Sequence, residues 1–354
     1  MRKESFEFLQ ELLDTPSPSG YEAAGQRLWC EYARKFADEV TTDSYGNAVA
    51  VLNPSGSPKL MLDGHVDEIG LMVKHIDDKG FVFFQRIGGV DAALIRDKRV
   101  NIHTAKGIVR GVIGATAIHL QERDKEPKAP KMHQIHIDIG AADGKAAAKR
   151  VSVGDPITFD DKFEMLDKHV AVARCFDNRA GTWAVIEALR IAKAVNPKCA
   201  IYACSSIQEE TGLNGALMQV ANIKPDVAIA VDVTHATDTP GIDVKQHGEV
   251  KMGKGPTVSI GRENHPLVVE RLRKIAKRKK MALQIETFSL TGGTDAYAIW
   301  NKNGGVPSAI LSVPNRYMHS TVEMLDLRDI EHLAELLAAF ATDLKKGERF
   351  QVKV

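Results

Sequence analysis

The sequence predicts an α/β fold, a sheet covered by helices on both faces, with a small β-rich unit inserted into it. Two observations carry this reading. Short aliphatic runs alternate with amphipathic helix patterns toward both ends of the chain, the pattern of a layered sheet. From about residue 74 to 163 the texture changes to short strands closely punctuated by glycine and charged turns, as in a small β unit. A third observation bears on chemistry. Four apolar runs each stop at a residue that can hold a divalent metal: 60–62 before His65, 200–203 before Glu209 and Glu210, 227–231 before Asp232, and 309–313 before His319. In open α/β sheets the functional crevice lies beyond the carboxyl ends of the strands.

The elements follow in order. Phe6, Leu9, Leu12 and Leu13 fall at helix spacing, and the breaker run Thr15-Pro16-Ser17-Pro18-Ser19-Gly20 ends that helix. A second amphipathic helix is expected over 21–36. A strand pair follows at 48–51 and 59–62, separated by the turn Asn53-Pro54-Ser55-Gly56. Inside the insert, strands are expected at 81–84, 100–102, 107–113, 135–139 and 156–159, with a short helix near 144–149. Beyond it, helices at 179–194 and 214–219 alternate with strands at 200–204 and 227–231. A basic helix is expected at 266–280 and a final helix at 327–344, with Ile330, Leu333, Leu337, Phe340 and Leu344 on one stripe. The expected organisation is an α/β domain from 1–73 and 164–354, and an inserted β-rich domain at 74–163.

Composition excludes several classes. The 47 basic and 46 acidic side chains leave a net charge of +1, so there is no global field to recruit nucleic acid or an anionic membrane. No apolar stretch approaches the roughly 18 to 20 residues that span a bilayer, and the first residues show no apolar segment with a cleavage site, so a cytoplasmic location is expected. Cys30, Cys175, Cys199 and Cys204 form no CxxC pair and read as buried thiols. The basic run 271–280 shares a segment with the apolar stripe Leu267, Val268, Leu272, Ile275 and Ala276, so it reads as the solvated face of a helix.

The candidate chemistry rests on five residues that can hold a metal and two that can assist them. In Asp63-Gly64-His65-Val66-Asp67 a histidine ligand has a carboxylate two residues away that can fix its tautomer. Glu209 and Glu210 follow an apolar strand and precede a glycine-bearing loop, where one can bind metal and the other take a proton from water. Asp232 emerges directly from a buried strand, where an unpartnered charge is costly. Asp177, in Cys175-Phe176-Asp177-Asn178-Arg179, reads either as a ligand or as the N-cap of a helix. Two histidines and three carboxylates form a mixed nitrogen and oxygen set suited to zinc, cobalt or manganese. Two metals sharing a bridging carboxylate would use all five.

These motifs, together with Gln208-Glu209-Glu210-Thr211-Gly212, Asp232-Val233-Thr234-His235-Ala236, Gly292-Gly293-Thr294-Asp295-Ala296 and His319-Ser320, resemble the tetrahedral aminopeptidases. That family, also called glutamyl or deblocking aminopeptidases, comprises dinuclear metallopeptidases. The resemblance runs through nearly the whole chain. It implies a three-layer α/β/α zinc-peptidase-like domain with a barrel-like insert that serves dimerisation. It further implies that His65 and Asp232 hold one metal, Glu210 and His319 the other, with Asp177 bridging, Asp67 supporting His65 and Glu209 as general base. The peptide after Asp177 is expected to be cis. The implied reaction is metal-assisted removal of N-terminal residues from short peptides, and the implied assembly is a dodecamer built from dimers. Thr321 stands where relatives often carry proline. Because some relatives are called endoglucanases, a carbohydrate hydrolase is the alternative; such enzymes work with two carboxylates and need no metal pair. Related exopeptidases and deacylases with paired metals are closer competitors.

Overall fold

The structure, a computed structural model, describes residues 1–120, 130–290 and 292–354. An eight-stranded sheet forms its centre. In spatial order the strands are Glu39–Thr42, Ala48–Leu52, Ala200–Ser206, Lys59–His65, Val227–His235, Ser308–Asn315, Thr257–Gly261 and Gln284–Phe288. The four from Ala200–Ser206 to Ser308–Asn315 run parallel, so their carboxyl ends share one rim, as expected for a site built on strand ends.

Alternation along these strands assigns the two helical layers. Leu60 and Leu62 join Ile201, Ala203, Ile229 and Leu311 in one core, covered by Lys3–Asp14, Ala23–Ala33, Phe176–Lys193, Pro266–Lys279 and Leu327–Asp343. Met61, Cys204 and Ala228, one residue out of phase, face the opposite core with Asn214–Ile223 and Asp295–Ile299. This is the period of two that puts neighbours on opposite faces, and it yields the three-layer α/β/α arrangement. All four cysteines are free and buried.

A closed antiparallel barrel stands beside the sheet, with strands in the order Gly70–Ile76, Val82–Ile87, His136–Asp138, Gly107–Ile113, Arg99–Thr104 and Pro156–Phe159. Its interior is a separate apolar core that includes Leu71, Val82, Ile102, Ile137 and Ile157. Residue 74, the expected start of the insert, falls inside the first barrel strand. A third, three-stranded sheet joins Glu164–Met165, Val170–Ala173 and Glu323–Asp326.

Some expectations are corrected. The strands at 48–52 and 59–65 are not neighbours, because Ala200–Ser206 lies between them and pairs with both. The turn after residue 52 reverses the chain, but reversal alone does not decide which strand fills the adjacent position. The basic helix buries Val268, Val269, Leu272, Ile275 and Ala276, whereas Leu267 is exposed. Its cations do face outward, Arg271 and Arg278 pairing with Asp343. The strands 39–42, 257–261 and 284–288 were not anticipated; 39–42 and 284–288 are the sheet edges and mix polar with apolar residues, and 257–261 alternates over only five residues, a weak signal.

Candidate metal centre

His65 ends its strand, Asp232 lies within Val227–His235, and the loops after Ala200–Ser206 and Ser308–Asn315 supply Glu209, Glu210 and His319. Asp177 comes from a non-helical kink at the start of Phe176–Lys193, a helix of the core that packs on Lys59–His65. That helix approaches closely because Gly64 has no side chain: a Cβ there would lie 2.8 Å from the backbone of Gly181 and Thr182. The Asp177–Asn178 peptide is cis.

The structure brings all seven candidate residues together. His65 Nε2 lies 3.3 Å from Asp177 Oδ1, 3.7 Å from Glu209 Oε2 and 3.9 Å from Asp232 Oδ1. His319 Nε2 lies 3.3 Å from Asp177 Oδ2 and 3.5 Å from Glu210 Oε2. Two groups of possible ligands result, His65 with Glu209 and Asp232, and Asp177 with Glu210 and His319; within each, the ligand atoms lie within 4.8 Å of one another. The two oxygens of Asp177 face different histidines. All of these residues except Asp67 border a cavity of about 680 Å³, along with Thr234, Phe288 and Met318.

The supporting contacts fix how each imidazole points. His65 Nδ1 faces Asp67, 3.2 Å from its carbonyl and 3.3 Å from Oδ1. His319 Nδ1 faces Gly89 O at 3.2 Å. With each Nδ1 directed at an acceptor, each Nε2 is left to the cavity. Gly89 follows a barrel strand, and a Cβ there would collide with the His319 ring. Glu323 was not singled out from sequence. It is 1% exposed, and its two oxygens accept from Asp177 N at 2.8 Å and His319 N at 2.9 Å. Glu323 pairs with Ala173 across the three-stranded sheet, which brings it beside the start of the Asp177 helix. An acidic residue in a short strand carries no local mark of that role.

Residues 46–336 match the family described as M42 glutamyl aminopeptidase. The chain belongs to that family. A lysyl aminopeptidase from Pyrococcus furiosus is 34% identical over 345 residues, covering 96% of this chain and 97% of that one. A TET aminopeptidase from the archaeon Thaumarchaeota archaeon SCGC AB-539-E09 superposes with a TM-score of 0.92 at 32% identity, covering 97% and 98%. The TET1 peptidase of Pyrococcus horikoshii, which can assemble into a tetrahedron or a large octahedral shell, superposes with a TM-score of 0.86 at 32% identity, covering 96% and 100%. Some solved structures named endoglucanase are also similar. Membership in M42 makes the chain a peptidase and does not favour the carbohydrate hydrolase.

The electrostatics of this M42 site call for cations. Burial raises the carboxyls of Asp232 and Glu210 well above their ordinary range, and the charge of Asp177 adds to the effect. Glu209 is lifted to about 7, by burial first, with His65 pulling the other way. For Asp177, burial acts upward but is outweighed by hydrogen bonds from His319 and His65, which hold it well below its usual value. Its hydrogen bond in turn raises His319 to about 9 against the effect of burial. So many carboxyls can ionise together in a buried place only beside positive charge. Imidazole nitrogens and carboxylate oxygens converging on two points fit divalent cations.

Proposed function

We propose that the chain is a metal-dependent aminopeptidase that removes N-terminal residues from short peptides with two divalent cations, zinc or cobalt, with manganese also suited to the donor set. The observation that carries this reading is Asp177, each of whose carboxylate oxygens lies 3.3 Å from the Nε2 of a different histidine. That placement supports a bridging role for Asp177. His65 and Asp232 hold one cation and Glu210 and His319 the other. Bound there, the cations would supply Lewis acidity toward the scissile carbonyl and lower the pKa of a nearby water.

The protein groups do the rest. Glu209, whose Oε2 lies 3.7 Å from His65 Nε2 at the cavity wall, takes the proton of the attacking water and returns it to the leaving amine, the role of a general base. Asp67 holds the His65 tautomer and accepts from the backbone N–H groups of Glu209 and Glu210 at 3.1 and 3.2 Å, so one carboxylate sets both the ligand and the base. The cavity walls position a peptide whose α-amine approaches the same centre.

The barrel acts as an inserted dimerisation unit, and the dimers build a dodecamer. Exposed Ile108 and Val112, at 60% and 47% on one barrel strand, support this, because exposed apolar side chains grouped on one face commonly mark an interface. A cytoplasmic location is consistent with helices none of which, among the described residues, is long and apolar enough to cross a membrane.

The deciding experiment is hydrolysis of a panel of aminoacyl anilides before and after chelation. Activity should vanish with the chelator and return with Zn²⁺ or Co²⁺. Undiminished hydrolysis in the chelated protein, or cleavage of cellulose without metal, would refute the reading.

A further inference from the structure

The loop 207–210 must aim two adjacent carboxylates at two different histidines. Three successive backbone N–H groups of this loop donate to carboxylates: Gln208 N to Glu22 Oε1 at 3.1 Å, Glu209 N to Asp67 Oδ1 at 3.1 Å, and Glu210 N to Asp67 Oδ2 at 3.2 Å. Gln208 sits in the left-handed region, with φ of 52°, a conformation that a residue with a Cβ keeps only where its surroundings impose it. Asp67 accounts for two of the three anchors. Glu22 supplies the third, at the strained residue.

Glu22 lies 186 residues from Gln208 in sequence and is 4% exposed. It precedes the helix Ala23–Ala33, yet its carboxylate makes no capping bond to that helix. The same Oε1 accepts from Gly20 N at 2.7 Å. The residue before, Ser19, donates its hydroxyl to Asp67 Oδ2. The turn 19–22 therefore ties the two anchoring carboxylates to each other and to the loop. Burial, with the charge of Asp67 adding to it, lifts the Glu22 carboxyl to about 7. A carboxyl buried at such cost is rarely retained to cap nothing.

We infer that Glu22 is a positioning residue for the pair Glu209 and Glu210. By holding the N–H of Gln208 it fixes the direction from which the Glu209 carboxylate meets the water and the substrate. This rests on Glu209 acting as the base. A base displaced by about 1 Å can lose on the order of a hundredfold in rate while binding is little changed. The function is geometric, so an uncharged acceptor of the same length should serve.

Three variants of the metal-loaded full chain test it: Glu22→Ala, Glu22→Asp and Glu22→Gln. Each is compared for kcat, KM, metal content and melting temperature, with Glu209→Gln measured alongside. Glu22→Ala should lower kcat by about tenfold to a hundredfold with KM and metal content unchanged. Glu22→Asp keeps the charge but falls short of Gln208, so it should lose nearly as much. Glu22→Gln, whose amide oxygen still accepts both N–H groups, should recover most of the rate. The inference is overturned if Glu22→Asp keeps full kcat, if Glu22→Gln is as slow as Glu22→Ala, or if the loss follows metal content or KM. Should Glu22→Ala fail to fold, the Asp and Gln variants decide alone. A fully active Glu209→Gln would instead remove the base itself, an outcome separate from a silent Glu22.

Discussion

At the rim of the eight-stranded sheet, Asp63, His65, Asp67, Asp177, Glu209, Asp232, Asp295 and Glu323 are all buried, whereas in the barrel Thr158 is the one buried polar side chain among the described residues. Both regions are sheets with filled interiors, yet they are held differently. The barrel core is aliphatic and aromatic, so its stability comes from area removed from water and from volume filled. The rim accepts charges that burial disfavours, which costs stability until cations or protons balance them. The difference teaches that one chain can set a region of packing beside a region of stored charge, with the loop at Gly89 passing from the barrel to touch His319.

Neutralising a rim carboxylate tests this most severely. Glu209→Gln should lower kcat by about 10² to 10⁴ while metal content holds, and melting should stay level or rise because a buried carboxyl has been removed. A variant that turns over at the wild-type rate, or that loses its metal, would end the contrast at its functional side. In the barrel the expected loss is of another kind. Ile137 is fully buried, and Ile137→Ala should cost about 2 to 5 kcal/mol of stability with kcat per folded molecule unchanged. A proportional fall in kcat would mean that the two regions are mechanically coupled.

The smallest effect concerns a titrating contact on the outer face of the barrel, where His103 points away from the core filled by Val100 and Ile102. His103 Nε2 lies 2.8 Å from Thr158 Oγ1, and burial holds the His103 imidazole below its ordinary pKa. Folding therefore favours the neutral ring. That contribution is present above the ordinary histidine value and is lost as pH falls below it. Between about pH 7.5 and 5, wild type should lose stability relative to His103→Gln, measured as the difference in urea midpoint at each pH. An unchanged difference would show the barrel to be indifferent to protons.

Much of the candidate site was legible because side chains able to hold a metal or move a proton emerge where strands end. His65, Glu209, Glu210, Asp232 and His319 each follow an apolar run long enough to be seen, and Asp177 stands at a helix start. Glu22 and Glu323 were not legible. Each is a single acidic residue that accepts from a backbone N–H far away in sequence, and nothing around it differs from a solvated glutamate. The strands 257–261 and 284–288 were missed for a related reason, since each is five residues long and mixes polar and apolar residues.

What the sequence determined by itself was the type of each main element, the two textures of the chain and the chemical kind of residue at each strand end. These follow from local rules, periodicity and turn chemistry, which act over a few residues. Tertiary structure alone decided that Ala200–Ser206 enters between two strands that are neighbours in sequence, that six strands close into a barrel, and that Glu22 meets Gln208 while Glu323 joins Asp177 to His319. Those choices depend on which distant surfaces bury each other, and a backbone N–H carries no residue identity by which its partner could be read in advance.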